Sequence, residues 1–154
     1  MKAEVAAIAT VRSPRKDLAD DFWGAVEADI VLDEAFDETA FFGLDDFTHV
    51  EVLFLMHRVD AAKIEKGARH PREREDWPLV GIFAQRGKAR PNRIGLTRAM
   101  IVKVVGRVLT VRGLDAIDGT PVLDVKPWMD EFAPIGVTRQ PEWATELMRD
   151  YFKD

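Results

Sequence analysis

Residues 94–112 read Ile-Gly-Leu-Thr-Arg-Ala-Met-Ile-Val-Lys-Val-Val-Gly-Arg-Val-Leu-Thr-Val-Arg. We read Ile94–Val105 and Val108–Arg112 as two antiparallel strands of a hairpin that reverses around Gly106. Working outward, Thr48–Val59 is the strongest single strand, and its apolar continuity from Val52 to Met56 predicts burial on both faces. Glu4–Arg12, Ala25–Leu32, Val80–Ala84 and Val122–Val125 read as further strands, the second from its period-two alternation. Asp33–Leu44 and Asp60–Lys66 suit short helical turns, Ala68–Pro78 a polar loop, and Pro141–Phe152 a terminal amphipathic helix. Many short strands with irregular connections point to a mainly β chain, an antiparallel barrel or a mixed sheet curled on itself. A doubly wound sheet is disfavoured, because crossover helices are too few and no strand leads into a Gly-x-Gly-x-x-Gly turn.

Just upstream of the hairpin, residues 86–96 (Arg-Gly-Lys-Ala-Arg-Pro-Asn-Arg-Ile-Gly-Leu) crowd four cations and two glycines around one Pro-Asn step. From Trp77 to Leu114 there is no acidic residue, while Arg86, Lys88, Arg90, Arg93, Arg98, Lys103, Arg107 and Arg112 give +8; the whole chain is −5, which leaves −13 elsewhere. Net charge argues against a polyanionic partner, but its distribution along the chain argues for one.

The 154 residues suit one domain, 1–154, and the hydrophobic share of 47% with 32% charged is that of a soluble globular chain. Without cysteine, disulfides and thiolate metal sites are excluded. His49, His57 and His70 follow no ligand spacing, so no metal is expected. No run is long enough to span a membrane. Met1-Lys2-Ala3-Glu4 lacks a leader's apolar stretch, and the expected compartment is cytoplasmic.

Three groups of residues can carry chemistry. The loop Arg86–Leu96 offers cations for phosphate and a backbone shaped by Pro91-Asn92 and Gly95; the alternative is a solvated loop paired with an acidic surface. His57-Arg58 ends the strongest strand. A histidine there is more often structural, and it would share an end of the sheet with Arg86 only if their strands ran parallel. Asp115, Asp118 and Asp124 could accept ribose hydroxyls or a ligand ammonium. Turn chemistry explains Asp118-Gly119, whereas Asp124, among Val122, Leu123 and Val125, needs a partner such as Lys126 or a cationic ligand.

Several blocks recur together in order: Ser13-Pro14, Gly43–His49, Phe54–Arg58, Gly81–Arg86, Arg90-Pro91-Asn92-Arg93-Ile94-Gly95-Leu96, and Gly113–Pro127 with its Asp118-Gly119-Thr120-Pro121-Val122-Leu123-Asp124-Val125-Lys126-Pro127 core. In these the chain resembles the TsaA/TrmO (YaeB-like) family of S-adenosylmethionine-dependent methyltransferases, over roughly Val5 to Trp128. The resemblance implies a small non-Rossmann β-barrel with short helices, a homodimer, and methylation of the exocyclic nitrogen of threonylcarbamoyladenosine in a tRNA anticodon loop. It places the S-adenosyl-L-methionine site at Phe22, Trp23, Gly24, His57, Arg58, Arg86, Leu96, Asp124, Val125 and Lys126. Bacterial members have a Gln-Pro-Gly-like early loop where this chain has Phe22-Trp23-Gly24, aligned on the glycine. Longer bacterial members also carry a C-terminal extension, and here Met129–Asp154 follows the matched blocks.

Taken with this resemblance, the basic stretch assigns Arg86, Lys88, Arg90, Arg93 and Arg98 to the phosphates of an anticodon stem-loop. Trp23 is placed to stack on adenine, and Trp128, Phe132, Trp143, Tyr151 and Phe152 offer apolar surface to a second copy; the alternative, favoured for Trp143, is that the terminal helix packs on its own barrel. No general base stands out beyond His57 by chemical type. Two other functions stay open: a methyltransferase of the same fold acting on a small molecule, and a non-catalytic RNA- or cofactor-binding module.

Overall fold

Alternating side chains make most strands one-sided, and antiparallel pairing joins them into a ring. The computed structural model describes residues 1–154. Its strands are β1 (Ala9–Arg12), β2 (Glu27–Leu32), β3 (His49–Leu55), β4 (Ala68–Arg69), β5 (Val80–Gly81), β6 (Ile94–Val105), β7 (Val108–Arg112) and β8 (Pro121–Pro127), followed by the helix α1 (Glu142–Leu147). Six strands close a barrel in the order β1–β2–β7–β6–β3–β8, each neighbouring pair antiparallel. β4 and β5 form a separate ribbon inside the long β3–β6 connection. This is the mainly β barrel, with short helical turns and a terminal helix, expected from the sequence.

The hairpin falls where the sequence places it, with Val105 facing Val108 across the turn. β3 corrects one expectation. Val50, Val52 and Phe54 enter the core, while Leu53 and Leu55 lie on the opposite, half-buried face. The apolar run therefore marks a strand with a core face and an apolar outer face, not one buried on both sides. Several boundaries also move, and β3 itself ends at Leu55 instead of Val59. The first strand starts at Ala9, where its pairing with both β2 and β8 begins. After Gly81 the chain turns into a 3-10 turn at Ile82–Ala84. The terminal helix is shorter than expected and ends at Leu147, and beyond it the carbonyls of Asp150, Tyr151 and Lys153 accept from the amides of residues 22–24.

Val11, Ile30, Val50, Val52, Leu109, Val111, Leu114 and Val122, none more than 1% exposed, fill the barrel. Closed pairing leaves the barrel without a free edge. It also sorts the loops: connections 13–26, 56–93 and 113–120 meet at one end, while connection 33–48 and the Gly106 turn lie at the other. The chain leaves β8 at the second end, and an exposed arm over residues 129–140 returns it to the first.

Candidate functional site

At the first end, the most specific sequence blocks turn out to be one another's partners. The Ser13 N–H donates to Asp118 Oδ1 (3.0 Å), the Asp118 N–H to the Arg15 carbonyl (2.8 Å), and the Gly119 N–H to the Val11 carbonyl (2.8 Å). Arg58 Nη1 donates to the Lys16 carbonyl (2.9 Å), which ties the end of β3 to the same loop. His57 presents Nε2 toward Gly119, and its Nδ1 is buried without a hydrogen-bond partner. His57, Arg58 and Arg86 do share one end of the barrel. Parallel strands are not the reason: all three lie in the single connection from β3 to β6.

Arg90-Pro91-Asn92-Arg93 forms a turn in which the Arg93 N–H donates to the Arg90 carbonyl (3.0 Å). Pro91 holds the second position, as proline's fixed φ favours. Gly95 has a packing role. It lies opposite Phe54 in β3, and a Cβ there would stand 2.3 Å from the Phe54 ring.

The outer wall formed by β6, β3 and β8 collects the next group. Leu53 faces Leu96 on one side and Asp124 on the other, so these side chains share a face, with Leu96 and Asp124 roughly 10 Å apart. Arg86 donates to the Leu96 carbonyl. Lys126 Nζ pairs with Asp124 Oδ2 at 2.7 Å, and this hydrogen bond, donated to the carboxylate, raises the lysine's pKa. The Asp124 side chain is 43% exposed, so it has the expected partner and still meets solvent. Val125 faces Val52 in the barrel core, which leaves only its backbone to a ligand. Asp115 and Asp118 are committed within the fold: Asp118 to the Ser13 amide, Asp115 to the hydroxyls of Thr97 and Tyr151.

The early loop differs from expectation in its aromatics. Trp23 is 3% exposed and Arg15 lies over its ring, 3.8 Å from the centroid. Its indole is thus covered and offers no stacking face. Phe22 is 55% exposed and is the aromatic this loop presents. Asp21 holds Arg72 through two hydrogen bonds (2.7 and 3.1 Å), which raise the guanidinium's pKa, and the Trp77 indole donates to Glu146 on α1 (2.9 Å).

Each cation assigned to RNA also has a contact inside the chain. Lys88 pairs with Asp20 at 3.2 Å, and Arg98 pairs with Glu51 at 3.0 Å while lying over Trp128. Arg90 and Arg93 donate to the carbonyls of Gln85 and Val59. With Arg86 on Leu96, the basic stretch is an ordered surface. A separate polar hollow of about 780 Å³, between Arg12, Lys16, Asp29 and Lys103, opens on the β1–β2–β7 wall and includes none of the expected cofactor residues.

Residues 12–133 match the family model of the tRNA-methyltransferase O N-terminal domain. The chain belongs to this family. Beside that match stands a probable S-adenosyl-L-methionine-binding protein of Methanothermobacter thermautotrophicus, 33% identical over 141 residues that cover 88% of this chain and 97% of that one. The tRNA (adenine(37)-N6)-methyltransferase of Mus musculus is 39% identical over 95 residues, 62% of this chain and 22% of that enzyme. The matched segment is therefore about a fifth of the mouse enzyme. A crystal structure of TrmO from Pseudomonas aeruginosa superposes with a TM-score of 0.70 at 28% identity, covering 90% of this chain and 62% of that one.

The fold thus brings Arg86, Leu96, Asp124 and Lys126 together on one wall and sets His57, Arg58 and residues 22–24 at the adjoining end. Tyr151 and Thr97 are the residues that sequence reasoning missed. Tyr151 is grouped there with aromatics for a second copy, yet it is half-buried at the barrel end, with its hydroxyl on Asp115; nothing local to residue 151 indicates that the chain folds back.

Proposed function

We propose that the chain is an S-adenosylmethionine-dependent methyltransferase acting on the N6 position of a tRNA adenine. In the finer form of this reading the target is threonylcarbamoyladenosine beside the anticodon. One observation carries it: Leu96, Asp124, Lys126 and Arg86 share an outer wall in a chain of the TrmO N-terminal family. When bound, the cofactor supplies an electrophilic methyl group. The residues present fit it. Asp124 offers a solvent-facing carboxylate to ribose hydroxyls or an ammonium, Lys126 an ammonium to a carboxylate, and Leu96 and Phe22 exposed apolar surface. Transfer from a sulfonium to nitrogen disperses positive charge, so the chain's task is alignment rather than oxyanion stabilisation. The basic stretch, from Arg86 through Arg98, would meet phosphates while an unstacked loop base reaches the site.

Nucleoside mass spectrometry of tRNA tests the substrate. A strain lacking the gene should lose N6-methylated threonylcarbamoyladenosine and regain it when the gene is restored; unchanged tRNA removes the tRNA reading. Calorimetry with S-adenosylmethionine in the presence of chelator tests the cofactor separately, with binding expected.

A homodimer belongs to the same reading. The arm over residues 129–140 is exposed along its length and carries Phe132, Ile135 and Val137, the last two with no cover at all. Apolar side chains presented in this way suit a protein surface. Light scattering should give a mass near twice the 17.4 kDa of the chain, and a monomer at micromolar concentration removes the dimer.

A further inference from the structure

Three consecutive backbone amides of the early loop are bonded to the segment after α1. The N–H groups of Phe22, Trp23 and Gly24 donate to the carbonyls of Asp150 (3.0 Å), Tyr151 (2.8 Å) and Lys153 (3.2 Å). From the middle of this seam the Tyr151 hydroxyl donates to Asp115 Oδ2, and the Thr97 hydroxyl takes Asp115 Oδ1. Tyr151 therefore joins the β1–β2 loop, through its backbone, to the β7–β8 loop, through its side chain. Asp20 and Arg86 also lie within its electrostatic reach. Burial first, then the Asp115 charge, raises the phenol's pKa well above the ordinary tyrosine range, so the hydroxyl stays protonated as a donor.

Two residues show that the loop is shaped around this seam. A Cβ on Gly24 would stand 2.1 Å from the Phe152 carbonyl oxygen, so a side chain there displaces the segment. Phe22 adopts φ 65°, a left-handed conformation that a non-glycine residue takes only at a cost. Asp150 accepts its N–H, and Arg15 Nη1 donates to its carbonyl at 3.0 Å. These bonds hold the exposed Phe22 ring at the end of the barrel that adjoins the proposed cofactor wall.

We propose that Tyr151 is a positioning residue of the cofactor site: it locks the 22–24 loop against the Asp115 loop and thereby sets how Phe22 is presented to a ligand. The functional half of this proposal rests on the cofactor reading above.

Tyr151 is the only tyrosine in the chain, so phenolate absorbance reports it alone. Wild-type protein should form no phenolate near pH 10, where an ordinary tyrosine titrates, and Gly24→Val should return the titration to about pH 10. Tyr151→Phe keeps the ring and removes one hydrogen bond. In the ligand-free protein it should speed hydrogen exchange at the amides of residues 22–24. With S-adenosylmethionine it should raise KM about three- to tenfold, with kcat nearly unchanged, because the loosened loop must then be ordered on binding. Thr97→Val should be non-additive with Tyr151→Phe, because both act through Asp115.

Ordinary phenolate titration in wild-type protein, or unchanged exchange at residues 22–24 in Tyr151→Phe, overturns the positional role. A Tyr151→Phe protein of lower Tm with unaltered affinity for S-adenosylmethionine also overturns it, since the tyrosine is then purely structural. Wild-type protein without any affinity for S-adenosylmethionine defeats the cofactor reading itself and with it the functional half; absorbance and exchange still decide whether the segment holds the loop.

Discussion

At one end of the barrel Phe36, Phe41, Leu44 and Phe47 line an apolar hollow of about 540 Å³. At the other, Ser13, Asp21, Arg72, Asp115, Asp118 and Tyr151 are joined by directed hydrogen bonds, and backbone amides of the early loop are met by carbonyls of the terminal segment. Apolar contacts are non-directional and tolerate repacking, so the apolar end can stabilise the barrel without fixing any loop to a fraction of an ångström. Hydrogen bonds demand both distance and angle. An end built from them holds loops in one arrangement, and loops on a rigid scaffold are where binding groups are usually placed.

Mutations should separate the two ends, beginning with the largest effect. Phe41→Ala, at a 3% exposed position, should destabilise the chain by about 3–5 kcal/mol in urea denaturation. Affinity for S-adenosylmethionine per folded molecule should stay within about twofold, because distant sites behave independently. An equal loss of affinity would mean that the ends are not separate. Gly24→Val should cost about 1–3 kcal/mol through overpacking against Phe152. It should also weaken cofactor binding more than Phe41→Ala does. If it leaves affinity untouched, the early loop lies outside the site.

Asp124→Ala sharpens the comparison from the outer wall. Its ion pair with Lys126 is solvent-exposed and contributes little to stability, so Tm should barely move. Cofactor affinity should fall about tenfold, the effect of losing a charged hydrogen-bond partner. Normal binding by this variant takes Asp124 out of the site.

The polar end should also respond to alkali. Tyr151 holds its proton more tightly in the folded chain than in the unfolded one. Its contribution to stability is present below the ordinary tyrosine pKa of about 10 and declines as pH rises through and above it. Denaturation midpoints from pH 9 upward should therefore fall more steeply for wild-type protein than for Tyr151→Phe, and parallel curves would contradict this. The smallest effect concerns RNA. Lys88→Ala should reduce the salt slope of anticodon stem-loop binding by about 0.7–0.9, one phosphate's worth, without changing cofactor affinity.

How far the sequence could be read divides along the same line. The β6–β7 hairpin is legible because turn and strands are neighbours along the chain. Closure of the barrel rests on Ala9 opposite Val122 and Thr10 opposite Pro121, pairings that no local pattern specifies. β3 misleads because Leu53 and Leu55 supply an apolar outer face where the period-two rule expects polar residues. Gly24 is noticed for being glycine, yet its reason, the Phe152 carbonyl, lies at the far end of the chain. Asp124 stands out because a carboxylate within an apolar strand needs explaining. Asp115 reads as an equal candidate until Thr97 and Tyr151 are seen to occupy both its oxygens.

The most direct test is methyl transfer by the purified chain. Protein, methyl-labelled S-adenosylmethionine and tRNA carrying unmethylated threonylcarbamoyladenosine should be incubated together, and the digested nucleosides analysed by mass spectrometry. Label on the N6 position of that adenosine is the expected result, reduced about tenfold by Asp124→Ala at limiting cofactor. Protein that binds S-adenosylmethionine yet leaves every tRNA nucleoside unlabelled would contradict the assignment to tRNA methylation.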